Sequence, residues 1–121
     1  MEYNTDLGQF DFTLIRGVSE QVKFWDVEKV DDKGKVIAWD LTGKTIKIHF
    51  KTNEIDSSFA MEKSVDNGGV VIDKNSITVK FGEETLSLKR DVYYYDILII
   101  DNSERHTIVQ GKLTLSGVIT K

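Results

Sequence analysis

The stretch DVYYYDILII, residues 91–100, restricts the fold more than any other part of this chain. Read with a period of two, Tyr93, Tyr95, Ile97 and Ile99 point one way and Val92, Tyr94, Leu98 and Ile100 the other, with Asp96 the only charge after Asp91. A strand that is apolar on both faces belongs in the middle of a sheet. It needs a second sheet against one face and local cover or another subunit against the other. The polar run DNSERH, residues 101–106, then separates it from a second β-rich run, HTIVQGKLTLSGVIT, and reads as a hairpin turn. That hairpin is expected to be the centre of the fold.

The remaining chain divides into short strands and turns. QFDFTLI, residues 9–15, alternates Phe10, Phe12 and Leu14 against Asp11 and Thr13, and Arg16-Gly17 ends it. QVKFWDVEKV, residues 21–30, reads as a strand carrying a bulge or a contact, since Val22 and Phe24 share one face and Trp25 and Val27 the other. DDKGK, residues 31–35, predicts a hairpin returning through residues 36–39, with Gly34 at a positive φ. In DLTGK, residues 40–44, Asp40 and Thr42 suit a side-chain-supported turn, with Gly43 left-handed. TIKIHFK, residues 45–51, is the cleanest alternation: Ile46, Ile48 and Phe50 inward, Thr45, Lys47, His49 and Lys51 outward. After the polar stretch 52–58 come an edge strand around Phe59–Glu62, a turn at 64–69, a short strand at 70–72 and an alternating strand at 77–81. Residues 82–90 offer one helical turn, with Leu86 packing down.

Seven to nine short strands with turns every eight to twelve residues predict an all-β fold: a single antiparallel β-sandwich over residues 10–121, with residues 1–9 a flexible lead-in or an arm that orders against a partner. The chain has 121 residues, no cysteine and no proline. One domain is therefore expected, without disulfides, thiolate metal sites or a cysteine nucleophile, and its edge strands need some protection other than proline. With 16 basic and 20 acidic residues in mixed order, no basic stripe stands ready for phosphates, so nucleic acid is not an expected partner. No apolar run reaches membrane-spanning length and no signal peptide is apparent, so no membrane partner is expected.

In immunoglobulin-type sandwiches a tyrosine near the start of the sixth strand caps the crossing loop through its hydroxyl. LKRDVYYYD resembles that arrangement, with Asp91 and Tyr93 in the corresponding places. The order of further motifs, RG at 16–17, DLTG at 40–43, GGVVID at 68–73, DVYYYDILI at 91–99 and GKLTLSGVIT at 111–120, resembles the small immunoglobulin-like β-sandwich proteins of tailed bacteriophages, the group similar to the amino-terminal domain of the baseplate upper protein. The likeness covers nearly the whole chain, although Asp91 stands where glycine is usual. It implies a non-enzymatic virion protein of baseplate, tail, neck or capsid, assembled in the bacterial host cytoplasm. Its partners would be other virion proteins and further copies of itself.

No residue pattern points to chemistry. His49 lies on the solvent face of an alternating strand and His106 beside a turn, which reads as two surface histidines and not a metal or catalytic pair. Glu83 and Glu84 read as a solvated helix start, and Asp26, Glu28, Asp31 and Asp32 with Asp73 and Asp101 as a dispersed acidic surface and not a calcium loop. No catalytic residue and no cofactor is expected. The contact residues are expected to be Trp25, Tyr94, Phe59 and Met61, for which the alternation leaves no obvious buried place. Trp25, Tyr94 and Trp39 could also form an aromatic platform, which makes a carbohydrate-binding module for host-surface glycans the alternative function.

Overall fold

The computed structural model describes residues 2–4, 9–30, 32–53 and 58–117. Residues 1 and 5–8 of the lead-in, Asp31, residues 54–57 and residues 118–121 of the closing motif lie outside the described residues. Eleven strands are described: β1 (Glu2–Asn4), β2 (Phe12–Ile15), β3 (Glu20–Trp25), β4 (Glu28–Val30), β5 (Val36–Ala38), β6 (Thr45–Lys51), β7 (Met61–Ser64), β8 (Val70–Asp73), β9 (Ser76–Phe81), β10 (Val92–Asp101) and β11 (Glu104–Ser116).

Nine of them build two sheets, one in the order β1-β3-β9-β8 and one in the order β2-β11-β10-β6-β7, while β4 and β5 form a separate hairpin. The doubly apolar strand β10 lies between β11 and β6, as its sequence demands. Its inward row, Tyr93, Tyr95, Ile97 and Ile99, is buried, as are Ile46, Ile48 and Phe50 of β6. The facing sheet contributes Val22, Phe24, Val70, Ile77, Val79 and Phe81. Ring contacts lock the two layers together: Phe81 meets Phe12 at 5.9 Å and Phe50 at 5.7 Å, and Phe10 meets Phe24 edge-on at 6.2 Å. Each fully buried side chain of this size contributes about 1.5–3 kcal/mol by leaving water, so this two-sided core is the main source of stability.

Several expectations need correction. The described residues hold eleven strands where seven to nine were expected, because β1 is added and residues 21–30 divide into β3 and β4. The sheets are also not purely antiparallel, since β1 runs parallel to β3 and β2 parallel to β11. Both exceptions come from the amino-terminal segment, which lies along one edge of each sheet in turn, so its direction follows from chain entry and not from a hairpin. Residues 21–30 are not one strand either. Asp26 adopts φ 56°, the chain leaves the sheet there, and Val27 turns inward while β4 pairs with β5. Residues 83–87 form a 3₁₀ turn in which Thr85, followed by Leu88, is buried, and Leu86 instead covers Gly17.

The turns follow their local chemistry. Gly34 and Gly43 take φ near +80°, and the Asp40 carboxylate accepts the Thr42 backbone N–H at 3.0 Å. The β10–β11 hairpin closes through Asn102 and Ser103, both at positive φ. Farther along this hairpin the register slips: Ile97 opposes Val109 while Leu98 opposes Thr107, leaving Ile108 as the extra residue of a bulge. The bulge turns His106 to the side where it meets the Trp39 ring edge-on at 5.3 Å.

Candidate functional site

The outer face of the five-stranded sheet carries a row of half-buried apolar side chains along β10, namely Tyr94, Leu98 and Ile100, with Val92 exposed at its start. Strand pairing sets their neighbours. Tyr94 lies between Lys112 and Lys51, Asp96 between Gln110 and His49, Leu98 between Thr107 and Lys47, and Ile100 between Arg105 and Thr45. The Lys112 ammonium sits 5.7 Å from the Tyr94 ring centre, a contact contributing about 0.5–1 kcal/mol at an exposed site. The result is an apolar ridge rimmed by side chains of mixed charge.

The four expected contact residues do not converge. Phe59 is 46 % exposed and stacks on the His49 imidazole at 4.2 Å, on the same face as Tyr94. The imidazole is held by Glu62, whose carboxylate lies 2.7 Å from Nε2. Trp25, 40 % exposed with Lys23 over its ring at 5.2 Å, alternates with buried Phe24 and so stands on the outer face of the other sheet. Met61, opposite Phe50, is partly buried and packs against the core. Trp39 is also no platform. It is 5 % exposed, lies beneath Lys29 and beside His106, and its indole N–H has no hydrogen-bond partner. Among the described residues no three His, Asp or Glu side chains gather in a metal-binding arrangement.

Among the described residues two charged side chains, those of Arg16 and Lys63, are buried where the sequence reading did not expect them. Arg16, just beyond β2, points inward and donates to the carbonyls of Leu88 at 3.1 Å, Arg90 at 2.7 Å and Gly117 at 3.3 Å, and to the Asp91 carboxylate at 2.9 Å. The guanidinium thus ties the end of β2 to the loop before β10 and to the close of β11. Lys63 points inward from β7, covers the Phe81 ring at 5.2 Å and pairs with Glu84 at 3.2 Å. The signal for Arg16 was its place in the alternation of Phe12 and Leu14, two residues farther on the same face. It was hidden by the Arg-Gly turn signal.

The loop before β10 is further held by Tyr93, whose hydroxyl accepts the Arg90 backbone N–H at 3.1 Å. Tyr95 makes the corresponding link on the other side. Its hydroxyl donates to the Phe10 carbonyl at 2.5 Å, reaching across Gly111, where a Cβ would lie 1.9 Å from that same carbonyl oxygen. Asp40, fully exposed, is held below the usual carboxylate range by the Thr42 hydroxyl and then by the Thr42 backbone N–H. No known family model matches this chain, and a search of curated proteins finds no similar one.

Proposed function

We propose that this protein is a non-enzymatic structural or assembly subunit of a tailed-bacteriophage virion, acting by protein–protein binding within a multimeric assembly at a baseplate, tail, neck or capsid site. The observation that carries this reading is the ridge of Val92, Tyr94, Leu98 and Ile100 on the side of β10 away from the core. Half-exposed aromatic and aliphatic side chains inside a charged rim are the ordinary anatomy of a docking face. An immunoglobulin-like sandwich is the fold that goes with it. The strand orders β1-β3-β9-β8 and β2-β11-β10-β6-β7 support that assignment, because in order they correspond to an ABED sheet facing a GFC sheet with one strand added at each edge, and so does the Tyr93 hydroxyl on the Arg90 backbone.

The glycan-binding alternative loses its platform, since Trp25 and Tyr94 stand on opposite faces and Trp39 is buried. The test is the charge substitution Tyr94→Glu. The variant is expected to fold, because Tyr94 is on the outer face, and to be missing from particles recovered on a density gradient. Recovery at the wild-type level would refute the reading. A saturable change in tryptophan fluorescence with host polysaccharide would favour the glycan module instead.

A further inference from the structure

We infer that the free edge of β8 is a docking site for a second copy of this chain, with Val70–Asp73 of the two copies antiparallel about a two-fold axis at Val71. The inference rests on reading the protein as a multimeric assembly subunit and specifies how copies of it meet. An edge strand exposes unpaired backbone N–H and C=O groups, and native proteins blunt such edges with very short strands, edge charge, proline, bulges, inward-pointing charge or a covering element. Among the described residues β8 has only its shortness and the terminal Asp73 to weaken pairing. This chain has no proline. Of the three edges of the two large sheets whose side chains are described, β7 carries the inward Lys63 and β2 runs directly into the inward Arg16. In β8 the inward residues are Val70 and Ile72, with no charge, and outward-facing Val71 is 44 % exposed.

The sequence of β8 also sets the register in which two copies can pair. Directly opposed residues of antiparallel strands share a face, so the inward pair Val70 and Ile72 must meet inward residues. Centring the axis on Val71 sets Val70 against Ile72 twice and Val71 against itself, all within the strand. Moving it to Ile72 would set Val70 against Lys74, which is in a turn at φ 55°; moving it to Val70 would set Ile72 against Gly68, at φ 80°. Only the Val71-centred pairing keeps both strands extended. A notch of about 210 Å³ lined by Ile46, Val65 and Ile72 together with Lys44, Thr45 and Asp66 opens beside this edge. The second copy's inward Val70, placed opposite Ile72, stands at its mouth.

A four-residue strand spans only about 13 Å, so the interface falls below the roughly 1,200 Å² of a stable complex. The isolated pair is therefore weak, with a Kd of roughly 0.1–1 mM, and becomes durable only where other contacts hold the copies together. The test is sedimentation of the purified protein from roughly 20 µM to 1 mM, a range that brackets this affinity. Wild type and the hairpin-tip control Val36→Lys are expected to rise toward dimer mass. Val71→Lys, which sets two ammonium groups against each other at the axis, should lower the association constant by roughly tenfold or more. In this cysteine-free chain, Val71→Cys should also form a disulfide dimer under mild oxidation faster than Val36→Cys, because residues opposed at the axis lie within disulfide reach.

Wild type that stays monomeric, Val71→Lys that associates like wild type, or cross-linking no faster than the Val36→Cys control would each overturn the inference. Tyr94→Glu keeps this edge intact and should dimerise normally. Failure of the edge contact is therefore distinguishable from failure of the proposed function, which is read from incorporation into particles.

Discussion

Removing the Arg16 guanidinium is expected to cost far more than removing the carboxylate it pairs with. Arg16 is the buried partner, its side chain 6 % exposed, whereas the Asp91 side chain is 80 % exposed. Three of its four hydrogen bonds go to backbone carbonyls, and these have no replacement donor in Arg16→Ala. Hydrogen bonds to a charged group contribute about 1.5–3 kcal/mol each, without simple additivity, and the carbonyls nearest the surface regain water. Arg16→Ala should therefore lose about 3–5 kcal/mol, the range found when one partner of a buried ionic network is deleted. Asp91→Ala removes one screened, exposed charge and should lose less than about 1 kcal/mol. In urea, with a slope of about 1–3 kcal/mol per molar, the Arg16→Ala midpoint should fall by about 1–5 M while that of Asp91→Ala falls by well under half as much. Arg16→Lys should lie near the alanine variant, because one ammonium cannot reach three carbonyls held in a fork. Equal losses for Arg16→Ala and Asp91→Ala would refute the reasoning and make the ion pair, not the clasp on the backbone, the stabilising element.

Further outcomes follow from single contacts. Gly111→Ala should lose about 2–4 kcal/mol by thermal or urea unfolding, because its Cβ meets the Phe10 carbonyl and forces β2 away from β11. Tyr95→Phe, which removes only the hydroxyl from that link, should lose about 1 kcal/mol. Ser103→Gly should raise stability by about 0.5 kcal/mol, since Ser103 holds φ 74° in a two-residue hairpin turn where glycine is unstrained. Asp40 contributes stability above the pH at which it titrates in the unfolded chain, and that contribution is lost as pH falls through its lower folded value. Carboxyl NMR should find Asp40 titrating below an ordinary aspartate, and Thr42→Val should bring it back up. An unchanged titration in that variant would assign the depression to another cause.

The strands β6 and β10 were legible because their information is local. Ile46, Ile48 and Phe50 alternate with polar residues, and β10 is apolar on both sides, so the period of two and the choice of an interior strand follow from the residues themselves. The glycine turns at residues 34 and 43 were legible for the same reason. Residues 21–30 read locally as one strand with a bulge or a contact, whereas the break there depends on Asp26 accepting a positive φ so that Val27 can enter the core, which is a demand of packing and not of propensity. The candidate site was only partly legible. Tyr94 and Phe59 share a face, but Trp25 lies on the other sheet and Met61 is spent on the core.

The sequence by itself determined that this chain is all-β, where most of its turns fall and which strand is interior, because each of those depends on residues a few positions apart. Only the tertiary structure decided that β2 runs parallel beside β11, that Arg16 reaches carbonyls more than seventy positions away, and that Gly111 must be bare to admit Phe10. It also decided that β8 is left as an edge without an inward charge. The physical reason is the two-residue period of a strand: it states which side chains share a face, but not which sheet, neighbour or edge that face will meet.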